Sequence, residues 1–331
     1  MISALMTVFN GEKYIKQSID SILNQTFTDF ELIIVDDGST DSTVDIIKEY
    51  EDERITLVEL EENRGVGAAI KEGLQYTNRD FIAKVDADDI YIENRFQVQL
   101  DYLQENKEVS IVDGLICFFP DNEKVEESQR FHYLKNIQEK QVNSILSPKE
   151  INEKIYWFTC LTHSNLMFRR NIIETVNYNE NLKIGEDYDF YYRLNKLGFN
   201  IHKLPIVLAD IRVSDASTTV RERPQMYKCI LDIKKNEFQK ALNKDIYIWG
   251  TGEIGRIVAE YLKSRGWGIK GFIDNNLSIV GTVKYSHKVY SKNVLNQNSF
   301  IFVASTYGKF EIANELKEKG FKHLDNFLVV F

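Results

Sequence analysis

With 331 residues the chain exceeds one ordinary domain of roughly 100–200 residues and is short for three, so two domains are expected. Hydrophobic residues make up 43% and charged residues 27% of it, which supplies enough apolar surface for real cores and argues against dominant disorder. The formal charge of −9 excludes the basic balance that a nucleic-acid partner calls for.

Three widely spaced cysteines, Cys117, Cys160 and Cys229, suggest neither a disulfide framework nor a Cys-rich zinc site and fit a reducing cytoplasm. No apolar run approaches the ~20 residues of a membrane span, and no basic region precedes the first strand-like stretch. The chain is therefore expected neither to cross a membrane nor to carry a secretion signal, whereas peripheral contact with the inner face of a membrane stays open.

The first ninety residues alternate β-rich runs with amphipathic helical stretches, the pattern of an α/β fold with a mostly parallel sheet covered by helices. Strands are expected over Ala4–Val8, Leu32–Val35, Thr56–Leu60 and Phe81–Val85. Tyr14, Ile15, Ile19, Ile22 and Leu23 recur at helical spacing, as do Val44, Ile46 and Ile47 after the capping cluster Ser39-Thr40-Asp41-Ser42. From Val109 to Pro205 the pattern loosens, with an acidic polar stretch around Asp121–Gln129 and a helix-like run from Glu186 to Leu197 closed by Gly198. An antiparallel, loop-rich half is expected there. The charged stretch Arg221–Lys244 reads as a connecting helix. Beyond it come a strand at Ile246–Trp249, a Gly-rich turn, a helix to Lys263, strands at Ile269–Ile273 and Ser299–Ala304, and a helix around Glu311–Lys319. The expected division is a first domain over residues 1–220, a linker over 221–244 and a second domain over 245–331.

Ligands of open α/β sheets bind outside the carboxyl ends of the strands. Four expected strands end in polar residues: Thr7 and Asn10, Asp36 and Asp37, Asn63, and Asp86-Ala87-Asp88-Asp89. Asp36-Asp37-Gly38-Ser39 alone reads equally well as a turn. Four coincident strand ends favour converging carboxylates, which repel one another unless a cation joins them, and all-oxygen ligation suits magnesium or manganese.

Asn10-Gly11, Val35-Asp36-Asp37-Gly38-Ser39-Thr40-Asp41, Asn63-Arg64-Gly65, Asp86-Ala87-Asp88-Asp89 and Gly185-Glu186-Asp187 resemble, in that order, the motif set of family 2 glycosyltransferases over roughly residues 1–220. The resemblance implies a GT-A nucleotide-diphosphosugar transferase fold and transfer with inversion at the anomeric carbon. The donor would be a nucleotide-diphosphate sugar, with a UDP-sugar favoured. A glycan or lipid-linked acceptor would serve cell-surface polysaccharide synthesis. On it, Asp37 would accept a hydrogen bond from the base, Thr7 and Phe9 would line the same pocket, and Asp86 would lie near the ribose or sugar. Asp88, with Asp86, would hold the metal at the diphosphate, where a cation stabilises the developing charge. Asp187 matches the general base, with Glu186 beside it at the start of a helix whose dipole favours an ionised carboxylate. His163 resembles a residue beside the acceptor pocket, a satisfied buried histidine being an equal reading. Ile211-Arg212-Val213-Ser214 departs from the pattern, with Ser214 where many relatives have histidine; Arg212 is retained as a site candidate.

In the second domain, Gly250-Thr251-Gly252-Glu253-Ile254-Gly255 between a strand and a helix, with Asp274 after the next strand, satisfies the Rossmann fingerprint. Gly250, Gly252, Gly255 and Asp274 are the ligand candidates, and the unit resembles the small Rossmann-like modules found beside sugar-modifying enzymes. The glycines equally suit a tight turn with close helix packing. Two competing readings are an NAD-dependent oxidoreductase centred on this turn, which lacks a hydride-site constellation, and a non-catalytic nucleotide-sugar sensor. A homo-oligomer through this domain is a further expectation.

Overall fold

The computed structural model describes residues 1–215 and 222–331, so the expected boundary at residues 220/221 lies outside the described residues. The chain forms two compact units, one of Met1–Ile155 with Thr159–Arg221 and one of Tyr156–Phe158 with Glu222–Phe331. No helix among the described residues is long and apolar enough to cross a membrane.

The first unit holds β1 (Ile2–Val8), β2 (Phe30–Asp36), β3 (Ile55–Glu59), β4 (Phe81–Asp86), β5 (Ile90–Tyr91), β6 (Ile111–Pro120), β7 (Met167–Arg169) and β8 (Ile201–Val213). They form one sheet in the order β3-β2-β1-β4-β7-β6-β8-β5. The pairs β3-β2, β2-β1 and β1-β4 are parallel, as expected. β1, β2 and β4 are covered on both faces, and their sequences are accordingly near-continuous apolar runs. The helix Ile15–Leu23 drives Ile15, Ile19 and Ile22 into the same core as Met6, Ile34 and Val85. The register is what positions the site. Thr7 lies opposite Val35 on one side and Asp86 on the other, and Val8 lies opposite Asp36.

The second half of this sheet is only partly antiparallel. β7 runs antiparallel to β4 and β6, whereas the long β6-β8 pair is parallel. The stretch between β6 and β8 is long enough for the crossover a parallel pair needs. The stretch expected to be loose is built from short helices, among them Glu123–Glu126, Gln129–Tyr133 and Pro148–Lys154. Their first turns are capped by the side chains of Asn122, Ser128 and Ser147. At Thr43–Lys48, by contrast, Ser42 makes no side-chain cap, and Asp41 accepts from the Thr43 N–H at 3.0 Å instead.

A second sheet is present at the C-terminus: β9 (Asp245–Trp249), β10 (Gly271–Ile273), β11 (Val283–Lys284), β12 (His287–Tyr290), β13 (Ser299–Val303) and β14 (Phe327–Val329), in the order β11-β12-β10-β9-β13-β14. All its pairs are parallel except β11-β12. The order reverses at β9, the doubly wound pattern. The stretch read as a connecting helix contains the helix Arg223–Lys234 and a 3-10 segment Lys235–Ala241. Leu231, Phe238 and Ala241 are buried in the core of the second unit, so this stretch is part of that unit. Its many charges hid three apolar anchors.

Candidate active site

At the carboxyl ends of β1 and β2, two loops are bound together by acidic side chains. The Asp37 carboxylate accepts from the Arg64 and Gly65 N–H groups, both at 2.8 Å, which ties the loop after β2 to the loop after β3. Burial pushes the Asp37 carboxyl up, against the pull of those two donors. Asp36 Oδ2 accepts from the Ser39 N–H at 2.9 Å, while its Oδ1 is buried without a hydrogen-bond partner. Asn10, with a φ of 51°, donates its N–H to Ser39 Oγ and accepts from the Thr40 N–H with Oδ1, both at 2.8 Å. Phe9 is 45% exposed, Thr7 is half-buried, and Asn63 is exposed beside Arg64. These residues form a rim with a bare aromatic ring and backbone amides already committed to side-chain oxygens.

The acidic run after β4 divides into three roles. Asp89 is buried and structural: its oxygens accept from Ser164 Oγ at 2.7 Å and from the Arg212 N–H at 3.0 Å. Asp86 and Asp88 are half-buried. Burial is the largest single influence on Asp86 and would raise it, yet the Lys84 ammonium at 2.7 Å, together with His163 and Arg95, holds the carboxyl below the usual range. Asp88 is pushed up to about 6 by burial and by repulsion from Asp86. Arg212 clamps this loop. Its Nε donates to the Asp88 carbonyl at 2.9 Å, a terminal nitrogen donates to Gln17 Oε1 at 2.7 Å, and its guanidinium lies 4.5 Å from the ring centres of both Tyr14 and Phe119. Ser214 is buried, and its carbonyl accepts from Arg130 at 2.8 Å.

Glu186 and Asp187 open the helix Glu186–Lys196 behind Gly185, and both interact electrostatically with Asp86. The helix is thus aimed at the acidic strand end. Burial pushes Asp187 up to about 6 and Glu186 up to about 8, the latter also through repulsion from Asp187. Both carboxyls are raised, Glu186 further than Asp187, so Asp187 is the readier of the two to ionise near neutral pH. His163 Nε2 is 2.9 Å from the Tyr178 hydroxyl, and burial followed by the Lys84 charge pushes its imidazole down to about 3. It is a neutral, hydrogen-bonded histidine. Lys84 was missed by the motif reading, although a lysine inside Phe81-Ile82-Ala83-Lys84-Val85 is a signal in itself.

Residues 3–176, more than half the chain, match the model of the glycosyl transferase family 2. The chain belongs to that family. It is 32% identical over 197 residues to an uncharacterised glycosyltransferase of Methanocaldococcus jannaschii, covering 58% of this chain and 64% of that relative, and so spans less than two thirds of its length. It is 26% identical over 250 residues to the amylovoran biosynthesis glycosyltransferase of Erwinia amylovora, covering 72% of this chain and 88% of that one. Among solved structures it is similar to S. aureus TarS 1–349 in complex with UDP, with a TM-score of 0.53 at 20% identity over 79% of this chain and 70% of that one. It is also similar to a Pyrobaculum calidifontis mannosyltransferase in complex with GDP-Man and Mn2+, with a TM-score of 0.56 at 17% identity over 72% and 64%. Those two likenesses are of fold, and the first sheet of this family 2 chain is of the GT-A type.

The second unit of the family 2 chain carries the Gly-rich turn between β9 and the helix Glu253–Ser264. Gly250 has a φ of 121°, and a Cβ on it would lie 2.4 Å from the Ala304 carbonyl oxygen; one on Gly255 would lie 2.1 Å from the Gly250 oxygen. Close packing alone thus requires these glycines. Gly252 precedes the first helical residue, and the Asp274 carboxylate accepts from Thr251 Oγ1 at 2.7 Å and from the Asn276 N–H at 2.9 Å. Those contacts close the turn on itself.

Proposed function

We propose that the first unit transfers a sugar from a nucleoside diphosphate to an acceptor hydroxyl, with inversion at the anomeric carbon. The observation that carries this reading is the register that sets Thr7 beside Asp86 and Val8 beside Asp36, with the Glu186–Asp187 helix start coupled to the same Asp86. The exposed Phe9 ring and the Asp37 loop offer a face for the base. Asp187, ionised at neutral pH, accepts the proton of the acceptor hydroxyl as its oxygen attacks the anomeric carbon from the side opposite the diphosphate. The new carbon–oxygen bond forms as the sugar–phosphate bond breaks, and the diphosphate leaves with the electron pair.

Asp88 and Asp86 would hold a divalent cation, manganese or magnesium, which when bound would stabilise charge on the leaving diphosphate. The donor set fits: it is all oxygen, and Asp88, raised first by burial and then by repulsion from Asp86, stands beside a like charge that a cation would offset. No group of three or more His, Cys, Asp or Glu side chains placed to hold a metal ion occurs among the described residues. One or two carboxylates with substrate phosphates are the usual ligands of such ions. A UDP-sugar donor and a glycan or lipid-linked acceptor in surface polysaccharide synthesis extend the reading from what the relatives are named for.

Calorimetric titration with UDP and GDP, with manganese or with chelator, tests the metal assignment. Binding should weaken at least tenfold on chelation and in Asp88→Ala. Unchanged affinity in both would remove the cation from the reading.

A further inference from the structure

Lys84 is among the largest fully buried side chains of the molecule, and burying a cation is costly unless it is paired. It stands on β4 two residues before Asp86, so both face the same side of the sheet, while Ala83 and Val85 pack into the core on the other side. Its ammonium donates to Asp86 Oδ1 at 2.7 Å and to the Val85 carbonyl at 2.8 Å. Its side chain is 1% exposed, against 39% for Asp86. Lys84 therefore cannot touch a substrate and acts through Asp86. The β4 backbone at this point is itself pinned: the Lys84 carbonyl accepts from Arg95 at 2.9 Å, and the Lys84 N–H donates to the Leu166 carbonyl at 2.9 Å.

We infer that Lys84 is a positioning residue that holds Asp86 Oδ1, so that Asp86 turns a single oxygen toward the donor and the Asp86–Asp88 pair is partly neutralised before any donor arrives. This rests on the cation reading above. Without the internal ammonium, two half-buried carboxylates would form a standing trap for a divalent ion. With it, the site binds the cation weakly alone and well only together with a diphosphate, whose oxygens supply the missing negative charge. Lys84 thereby couples cation entry to donor entry.

The probe is manganese alone, titrated into the full chain and its Lys84→Met, Lys84→Gln and Lys84→Arg variants by the loss of the free-ion electron paramagnetic resonance signal, with folding checked by circular dichroism. Removing one positive charge at this range should tighten manganese binding about tenfold or more in the Met and Gln variants. The Arg variant should match the parent. Turnover should fall in the Met variant and be largely restored in the Arg variant. A purely structural lysine would leave metal affinity unchanged or lower it. Folded Met or Gln variants that bind manganese no better than the parent would overturn the inference while leaving the cation reading standing. A parent that binds no manganese even with UDP, GDP, ADP or CDP present would overturn both.

Discussion

Glu186 and Asp187 are neighbours in sequence whose carboxyls are raised to different extents, to about 8 and about 6, because burial is the largest cause for both and each adds repulsion within the acidic cluster. For Glu186 the consequence for stability has a definite sign. Its folded value stands above its ordinary 4.5, so the native state prefers the protonated form. The stability this contributes is complete below about 4.5 and is lost as pH rises through about 8. Glu186→Gln cannot ionise and keeps its neutral amide throughout. The thermal midpoint of Glu186→Gln relative to the parent should therefore climb from pH 5 to pH 8.5. A difference that stays flat over that range would show that Glu186 is ionised in the native protein.

Among the elements, the helix Val66–Gly73 packs against the loop that delivers the Glu186–Lys196 helix. A Cβ on Gly67 would lie 2.9 Å from the Asn179 carbonyl oxygen and 3.0 Å from that of Leu182. Gly67→Ala should push this loop and lower turnover at least tenfold, with a loss of about 1–3 kcal/mol in urea unfolding from overpacking. Parent-like turnover would show that the loop gives way without moving Asp187. Neither Val66–Gly73 nor Arg95–Glu105 was legible in the sequence, and the second case is instructive. Its buried face keeps Phe96, Leu100 and Leu103 at helical spacing but also includes Arg95 and Gln99, which donate to the Ser164, Lys84, Leu166 and Asn165 carbonyls, so two of its five buried positions read as surface residues. β1, β2 and β4 were legible because burial on both faces makes their sequences nearly continuous apolar runs, whereas β6, β7 and β8 were not read from the sequence. Asp86, Asp88 and Asp187 were legible through position and motif order. Lys84 was missed because it belongs to none of the motifs, although a lysine inside an apolar strand two residues before Asp86 was there to be read.

At the scale of the whole molecule, the chain divides less simply than its charge pattern suggests. Tyr156–Phe158 belongs to the second unit although its flanking residues belong to the first. Trp157 is fully buried there against Phe310 and His323, with ring centres at 5.8 and 5.7 Å. Three residues inside a stretch of short helices carry no periodicity that would reveal such an assignment. The parallel β6-β8 pair was hidden for a related reason, since pairing across so long a stretch leaves no local signature. The proposed transfer nevertheless lies in the first unit alone, with its acidic strand ends and the Asp187 helix start acting as one centre. The most direct test is release of nucleoside diphosphate from a panel of nucleotide sugars with manganese, comparing the full chain with Asp187→Asn. The parent should turn over at least one donor, and the variant should lose about 10²–10⁴-fold of that rate with nearly unchanged donor affinity. Turnover by a folded Asp187→Asn within a few-fold of the parent would contradict the proposal.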